Sequence, residues 1–247
     1  MAKARASTSG ISKKAKAAKP RIRPVRWLLR WLWRAVFVAA SVVVLLVLLY
    51  KVVNPPTTIY MVQEGQRLGA SVDHTWVDAD RIAPVMLRSV VAAEDANFCT
   101  HWGFDMDAIR DAIEEGGTRG ASTISQQVVK NTFLWHGRNY TRKAMEALIT
   151  PVMEALWSKR RIVEVYLNVA EFDEGVFGVH AAADHYFGVT PDQLSATQAA
   201  RLAAILPDPK DRSASQPTRF VQRRANSIRD GAATIQRDGR AACFEAD

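Results

Sequence analysis

VAAEDANFCTHWGFDMD (residues 91–107) joins the end of one apolar helical run to the start of another and sets two carboxylates, Glu94 and Asp95, at the junction. Stability alone disfavours this. The last turn of a helix carries partial negative charge, so each exposed acid there costs about 0.3–1 kcal/mol. The same field raises a carboxylate's pKa, which suits a proton acceptor working near neutrality. The bland alternative is a helix end whose acids cap the following turn, and this stretch alone leaves both open.

Working outward, the helical reading extends in both directions. Pro84 suits the first turn of a helix that ends at Glu94. Further helices are expected over residues 105–115, from Thr123, and over residues 141–157, 158–168, 179–187, 195–206 and 218–237, with Ser195 and Gln198 forming a capping box. Neither internal repeat nor strand-rich region is visible, so the class is mainly α. Residues 54–79, opened by Asn54-Pro55-Pro56, read as a connector with no firm pattern.

The chain has 247 residues and a net charge of +8, but the charge is local. Eleven of the 33 Lys and Arg lie in residues 1–34, which hold no acid, leaving 22 against 25 acids and a net of −3 elsewhere. A nucleic-acid partner is therefore not indicated. Residues 1–30 read as a basic tail, disordered over residues 1–19, and residues 31–53 are almost wholly apolar, about the ~20 residues that span a bilayer. Trp27, Trp31, Trp33 and Tyr50 suit the interfaces, and the basic excess puts the N-terminus in the cytoplasm. A single uncleaved anchor is favoured over a signal peptide, since no small-x-small site follows the apolar run. Residues 80–247 form the one globular domain.

A second informative stretch is GASTISQQVVKN, residues 120–131. Thr123 and Gln126 make a capping box after a glycine, so free N–H groups at that turn could meet an anion. On a helix, Thr123, Gln127, Lys130 and Asn131 share an arc of roughly 100°, with Ile124, Val128, Val129 and Phe133 behind. This face suits a sugar or phosphate; an ordinary solvated face has the same pattern. Arg142 and Glu146, one turn apart, read either as a weak surface pair or as a carboxylate held by a cation at a cleft. Glu154, Lys159 and Glu164 fit solvated faces or helix-joining salt bridges. Phe133, Leu134 and Trp135 suit either lipid contact or the core. Cys99 and Cys243 are the sole cysteines, and pairing and free thiols both remain open. No metal-ligand spacing occurs among the five histidines.

Together EDANFCTHWGFD, GASTISQQVVKN, RKAMEA, SKRRIVEVYLNVAEF with GVFGVHAAADHYFG, and LSATQAARLAAILPDP resemble the ordered motifs of the family 51 glycosyltransferases, the peptidoglycan glycosyltransferases, in their monofunctional, singly anchored form. The resemblance covers about residues 80–209. It implies a lysozyme-like fold with head and jaw lobes, an inner-membrane anchor, and a periplasmic domain that polymerises lipid II into glycan strands with release of undecaprenyl pyrophosphate.

By that resemblance Glu94 is the base that takes the proton of the acceptor's 4-hydroxyl, and Glu146 is the second glutamate, near the departing pyrophosphate. Lys130 and Arg142 match the cations that meet pyrophosphate. Ser122, Thr123, Gln127 and Asn131 line the donor side, while Asp95, Phe98 and His101 shape the catalytic loop. No cofactor or protein-held metal is required; a divalent cation, Mg or Mn, at the pyrophosphate is left open, as are cell-wall synthesis proteins as partners. Two features depart from the family pattern: Cys99 stands where an aromatic or larger residue is common, and the region of residues 116–120 is trimmed. The rival reading is a membrane-anchored lysozyme-like enzyme that cleaves glycan, which has little use for Lys130 and Arg142. A penicillin-binding transpeptidase is excluded, since neither S-x-x-K nor K-T-G occurs.

Overall fold

A computed structural model describes residues 24–116, 120, 122–137 and 139–245. Most of the basic tail and the centre of the glycine-flanked stretch at 116–120 lie outside the described residues. The chain divides into two compact units, residues 1–42 and 43–247.

Helix α1 (Pro24–Tyr50) contains the apolar stretch, and in the first unit its large apolar side chains, including Trp27, Trp33 and Phe37, are exposed. A 27-residue helix rising about 1.5 Å per residue is long enough to cross a bilayer. Its last turns belong to the second unit. Arg161 donates to the terminal carbonyls of Tyr50 and Val53 at 2.9–3.1 Å, and Trp157 Nε1 donates to Val47 O at 2.8 Å. The bonds to Tyr50 O occupy a carbonyl that the helix end leaves without an intrahelical partner.

In the second unit the helices follow the caps. Asp105, Asn139, Ser158 and Thr218 each accept a backbone N–H with the side chain and open α4 (Met106–Glu114), α6 (Tyr140–Leu156), α7 (Lys159–Val169) and α10 (Arg219–Arg237). Capping boxes at Thr123 and Ser195 open α5 (Ile124–Phe133) and α9 (Ala196–Ile205), and Pro84 begins α3 (Pro84–Glu94). Helix α8 (Gly178–Phe187) ends at Gly188 in the left-handed conformation. The alanine-rich face of α9, including Ala199, Ala203 and Ala204, is fully buried, and α10 packs on both α9 and α3. Small side chains on that face permit the close approach. This packing brings α10 against the helix that ends in Glu94.

Residues 54–79 are more ordered than their composition suggests. Thr58 caps α2 (Ile59–Leu68), which ends at Gly69. Strand β1 (Asp73–His74) pairs in parallel with β3 (Val176–Phe177), itself antiparallel to β2 (Glu171–Asp173). Such short strands carry no readable alternation, and with two or three residues each they do not make the chain strand-rich. The two cysteines are joined: Cys99 and Cys243 form a disulfide with their Cα atoms 5.9 Å apart.

Candidate active site

Glu94 is the last residue of α3 and Asp95 its cap, and the two carboxylates face different surroundings. Glu94 Oε2 accepts from Gln127 Nε2 at 3.0 Å, while its Oε1 has no hydrogen-bond partner among the described residues. Burial pushes the Glu94 carboxyl above the ordinary carboxylate range, against the lowering pull of the Gln127 bond, Arg224 and Lys130. The direction is the one expected of a helix-end acid. Its first cause, however, is burial.

Asp95 is 7% exposed and wholly committed. Oδ1 accepts from His101 Nε2 at 2.8 Å and Oδ2 from Ile124 N at 3.0 Å. The free N–H expected at the turn before α5 thus meets an anion of the protein itself, favoured by the helix dipole. That pair of bonds closes residues 95–103 into a loop against the start of α5. Thr123 Oγ1 donates to Gly103 O at 2.7 Å while also capping α5, so its hydroxyl proton is held inside the protein. Gly103 has φ +83°, and a Cβ there would lie 2.5 Å from Thr150 Cγ2, so no side chain fits.

Beneath the loop lies a polar junction. Glu154 is 8% exposed and accepts from Ser125 and from Lys159 Nζ, the latter at 2.8 Å. Lys159 Nζ also donates to His101 O at 2.8 Å and sits 4.4 Å from the centre of the Phe98 ring. Glu154 and Lys159 therefore do not lie on a solvated face. Their salt bridge joins α6, α7, α5 and the loop.

The cationic side is built by α5 and α6. Glu146 is 2% exposed and holds Arg142 Nη1 at 2.8 Å and Lys143, so the Arg142–Glu146 pair is not a surface pair. Lys143 Nζ also donates to Ser122 Oγ at 3.2 Å. Lys130 feels both glutamates: burial lowers its pKa most, and the charges of Glu146 and Glu94 pull it back up. Asn131 is buried, with Oδ1 unpartnered among the described residues. Of the apolar trio at residues 133–135, Leu134 is in the core, and Phe133 packs against Tyr50 and Trp157.

Two cavities flank this arrangement. One of about 270 Å³ is lined by Glu94, Asp95, Asn97, Asp105, Ser122 and Thr123. The other, about 310 Å³, is lined by residues including Gln127, Lys130, Asn131, His136 and Lys210. Burial, with Lys130, Arg142 and Lys210 nearby, pushes His136 down to about 4, so its ring is neutral near pH 7. Residues 62–233 match the transglycosylase family. The chain belongs to the transglycosylase family. Its domain has that family's mainly α, lysozyme-like fold, and it is an enzyme of that class.

This transglycosylase is 57% identical over 238 residues to a biosynthetic peptidoglycan transglycosylase of Jannaschia sp. (strain CCS1), covering 95% of this chain and 99% of the relative. A protein of the same description from Caulobacter vibrioides is 46% identical over 226 residues, covering 90% and 98%. One from Pseudomonas fluorescens (strain SBW25) is 52% identical over 212 residues, covering 82% and 88%.

Sequence reasoning missed three residues of the candidate site. Arg224 on α10 brings Nη2 to 3.7 Å from Glu94 Oε1, and its Nε is buried without a partner among the described residues. Nothing local marks Arg224, since it meets Glu94 only when α10 packs on α3. Lys143 was within the quoted RKAMEA motif, and its i to i+3 spacing to Glu146 was the available signal. Lys210 reaches Glu64 at 2.5 Å on the wall of the larger cavity, a contact made across 146 residues. Among the described residues no group of three or more His, Cys, Asp or Glu side chains is arranged to hold a metal ion.

Proposed function

We propose that this chain is a membrane-tethered peptidoglycan glycosyltransferase that polymerises lipid II, with Glu94 as general base and undecaprenyl pyrophosphate as leaving group. The observation that carries the reading is the buried Glu94 carboxylate, oriented by Gln127 and lying within the electrostatic reach of Lys130.

Glu94 takes the proton of the acceptor sugar's 4-hydroxyl as that oxygen attacks the donor's anomeric carbon. The anomeric C–O bond breaks, and its electron pair leaves with the pyrophosphate. A base held above the usual carboxylate range is better matched to a hydroxyl proton than a free glutamate is. The leaving group needs charge neutralisation, which Lys130, Arg142 and Lys143 supply; Glu146 holds the last two in place. A divalent cation, Mg or Mn, would enter on the pyrophosphate's own oxygens. Cavities on either side of the Glu94–Gln127 bond suit a reaction of two large substrates.

Helix α1 suits a single-pass anchor, with the basic N-terminus cytoplasmic and the catalytic domain on the outer face of the inner membrane, beside its lipid-linked substrate. The test is incubation of purified full-length protein with lipid II. Wild type should yield polymer, and Glu94→Gln should lose about 10²–10⁴ of the rate. Shortening of preformed glycan, or undiminished polymer from Glu94→Gln, would sink the reading.

A further inference from the structure

The C-terminal residues 238–245 grip the catalytic loop and the helix before it. Arg240 Nη1 donates to Ala96 O at 3.1 Å, two residues after Glu94, and Asp238 holds the same guanidinium through Nε at 2.9 Å. Three residues further on, Cys243 is bonded to Cys99. Phe244 is fully buried, its ring centre 6.3 Å from that of Phe98. Glu245 accepts from Arg88 Nη1 at 2.7 Å, on the helix that ends in Glu94. Helix α11 (Ala242–Glu245) spans four residues, too short to be stable by itself, so these tertiary bonds are what order it.

The two sides of the loop are held differently. Asp95 and His101 tie it to α5 and α7 through Ile124 N and Lys159. Ala96 and Cys99, on the other side, are held by the C-terminal segment from 144 residues away. We propose that residues 238–245 are a positioning element for Glu94, and that the Cys99–Cys243 disulfide maintains it, so that opening the disulfide slows turnover while leaving substrate binding in place. The proposal rests on the reading of Glu94 as the base. Its physical ground is that a base displaced by about 1 Å can lose on the order of 10²-fold in rate, while contacts to a pyrophosphate made by α5 and α6 persist.

The test compares full-length protein, oxidised and after dithiothreitol, with Cys243→Ser and Arg240→Ala. In the reduction, the Cys99–Cys243 bond gains two electrons and two protons to give two thiols, and dithiothreitol becomes its cyclic disulfide. Reduced protein and both variants should show kcat for lipid II lowered about tenfold, with KM changed by less than about twofold. Amide exchange at residues 95–103 should quicken, while that of α8 stays as it was. Arg237→Ala, on the exposed end of α10, should behave as wild type. Unchanged kcat on reduction and in Arg240→Ala, KM rising at constant kcat, or two titratable thiols in the untreated protein each overturn the proposal. Should Cys243→Ser fail to fold, the reduced wild type and Arg240→Ala decide alone. Should wild type make no polymer, the functional reading fails separately, and loop exchange unaltered by reduction would overturn the positioning role.

Discussion

Gln127 Nε2 holds one oxygen of Glu94 at 3.0 Å and leaves the other free of hydrogen bonds among the described residues. A carboxylate fixed on one side and open on the other has a defined direction in which to accept a proton. Gln127→Ala should therefore lower kcat by about tenfold with little change in overall stability, whereas the acidic Gln127→Glu should do more harm, since two adjacent carboxylates raise each other's pKa. Steady-state lipid II kinetics on the two variants check this; equal rates for both would refute the electrostatic part.

The burial of Glu94 also predicts a stability–activity conflict. A carboxyl with a raised folded pKa favours its protonated form in the folded protein, so its contribution is fully present below the unfolded carboxylate range and is lost as pH rises through the raised value. Glu94→Gln should thus melt at a higher temperature than wild type near neutral pH. The difference should close toward about pH 4, where wild-type Glu94 is neutral too. Thermal melts across pH would show it, and a variant less stable at neutral pH would count against the account.

On the alkaline side, the limiting group should be Lys130. Its ammonium pKa is lowered chiefly by burial, and in the proposed mechanism it stays protonated to meet the leaving pyrophosphate. Turnover should consequently fall at a pH below the ordinary lysine range. Lys130→Arg, which keeps its charge, should push that limb upward, and Lys130→Ala should lose about 10²–10³ in kcat. A pH–rate profile identical for Lys130 and Arg would remove lysine from this role.

Much of this site was legible in the chain because its helices announce their own ends. Asp105, Thr123, Ser158, Ser195 and Thr218 each cap a helix start with the side chain, and Pro84 marks another by its place in the first turn. Helix α2 was missed although Thr58 and Gly69 bracket it, because the Pro-Pro pair before it reads as a break. Glu154 and Lys159 read either as solvated or as a helix-joining salt bridge, because periodicity cannot tell a water-facing polar stripe from one facing another helix; the structure shows the salt bridge. Arg224 and the disulfide were out of reach for a different reason: each is a contact across more than a hundred residues, created by the docking of α10 and the C-terminus.

Arg224 should tune Glu94 rather than replace it. Its positive charge, 3.7 Å from Oε1, pulls the carboxyl's pKa down against burial. Without it, in Arg224→Ala, Glu94 should titrate still higher, and fewer molecules would carry an ionised base near pH 7. The neutral-pH rate should drop on the order of tenfold, well short of the 10²–10⁴ expected from removing the base, and should partly recover as pH rises. A loss of equal size at every pH would instead assign Arg224 to substrate binding.

The Glu154–Lys159 junction gives the sharpest stability prediction. Both charges are largely withdrawn from water, Lys159 at 15% and Glu154 at 3% side-chain exposure, and the pair lies under the loop that follows Glu94. Removing either partner alone strands the other, so Glu154→Leu or Lys159→Met should each cost about 3–5 kcal/mol. Replacing both with apolar residues of similar volume removes the stranded charge, so the double variant should be more stable than either single one. It should nonetheless remain a poor enzyme, because the Lys159 bond to His101 O goes with the lysine and the loop loses that tie. Denaturant melts on the two single variants and the double, read as a double-mutant cycle beside lipid II turnover, separate the two effects. Additive losses of stability would show that the pair is not coupled, and full activity in the double variant would show that the loop does not depend on it.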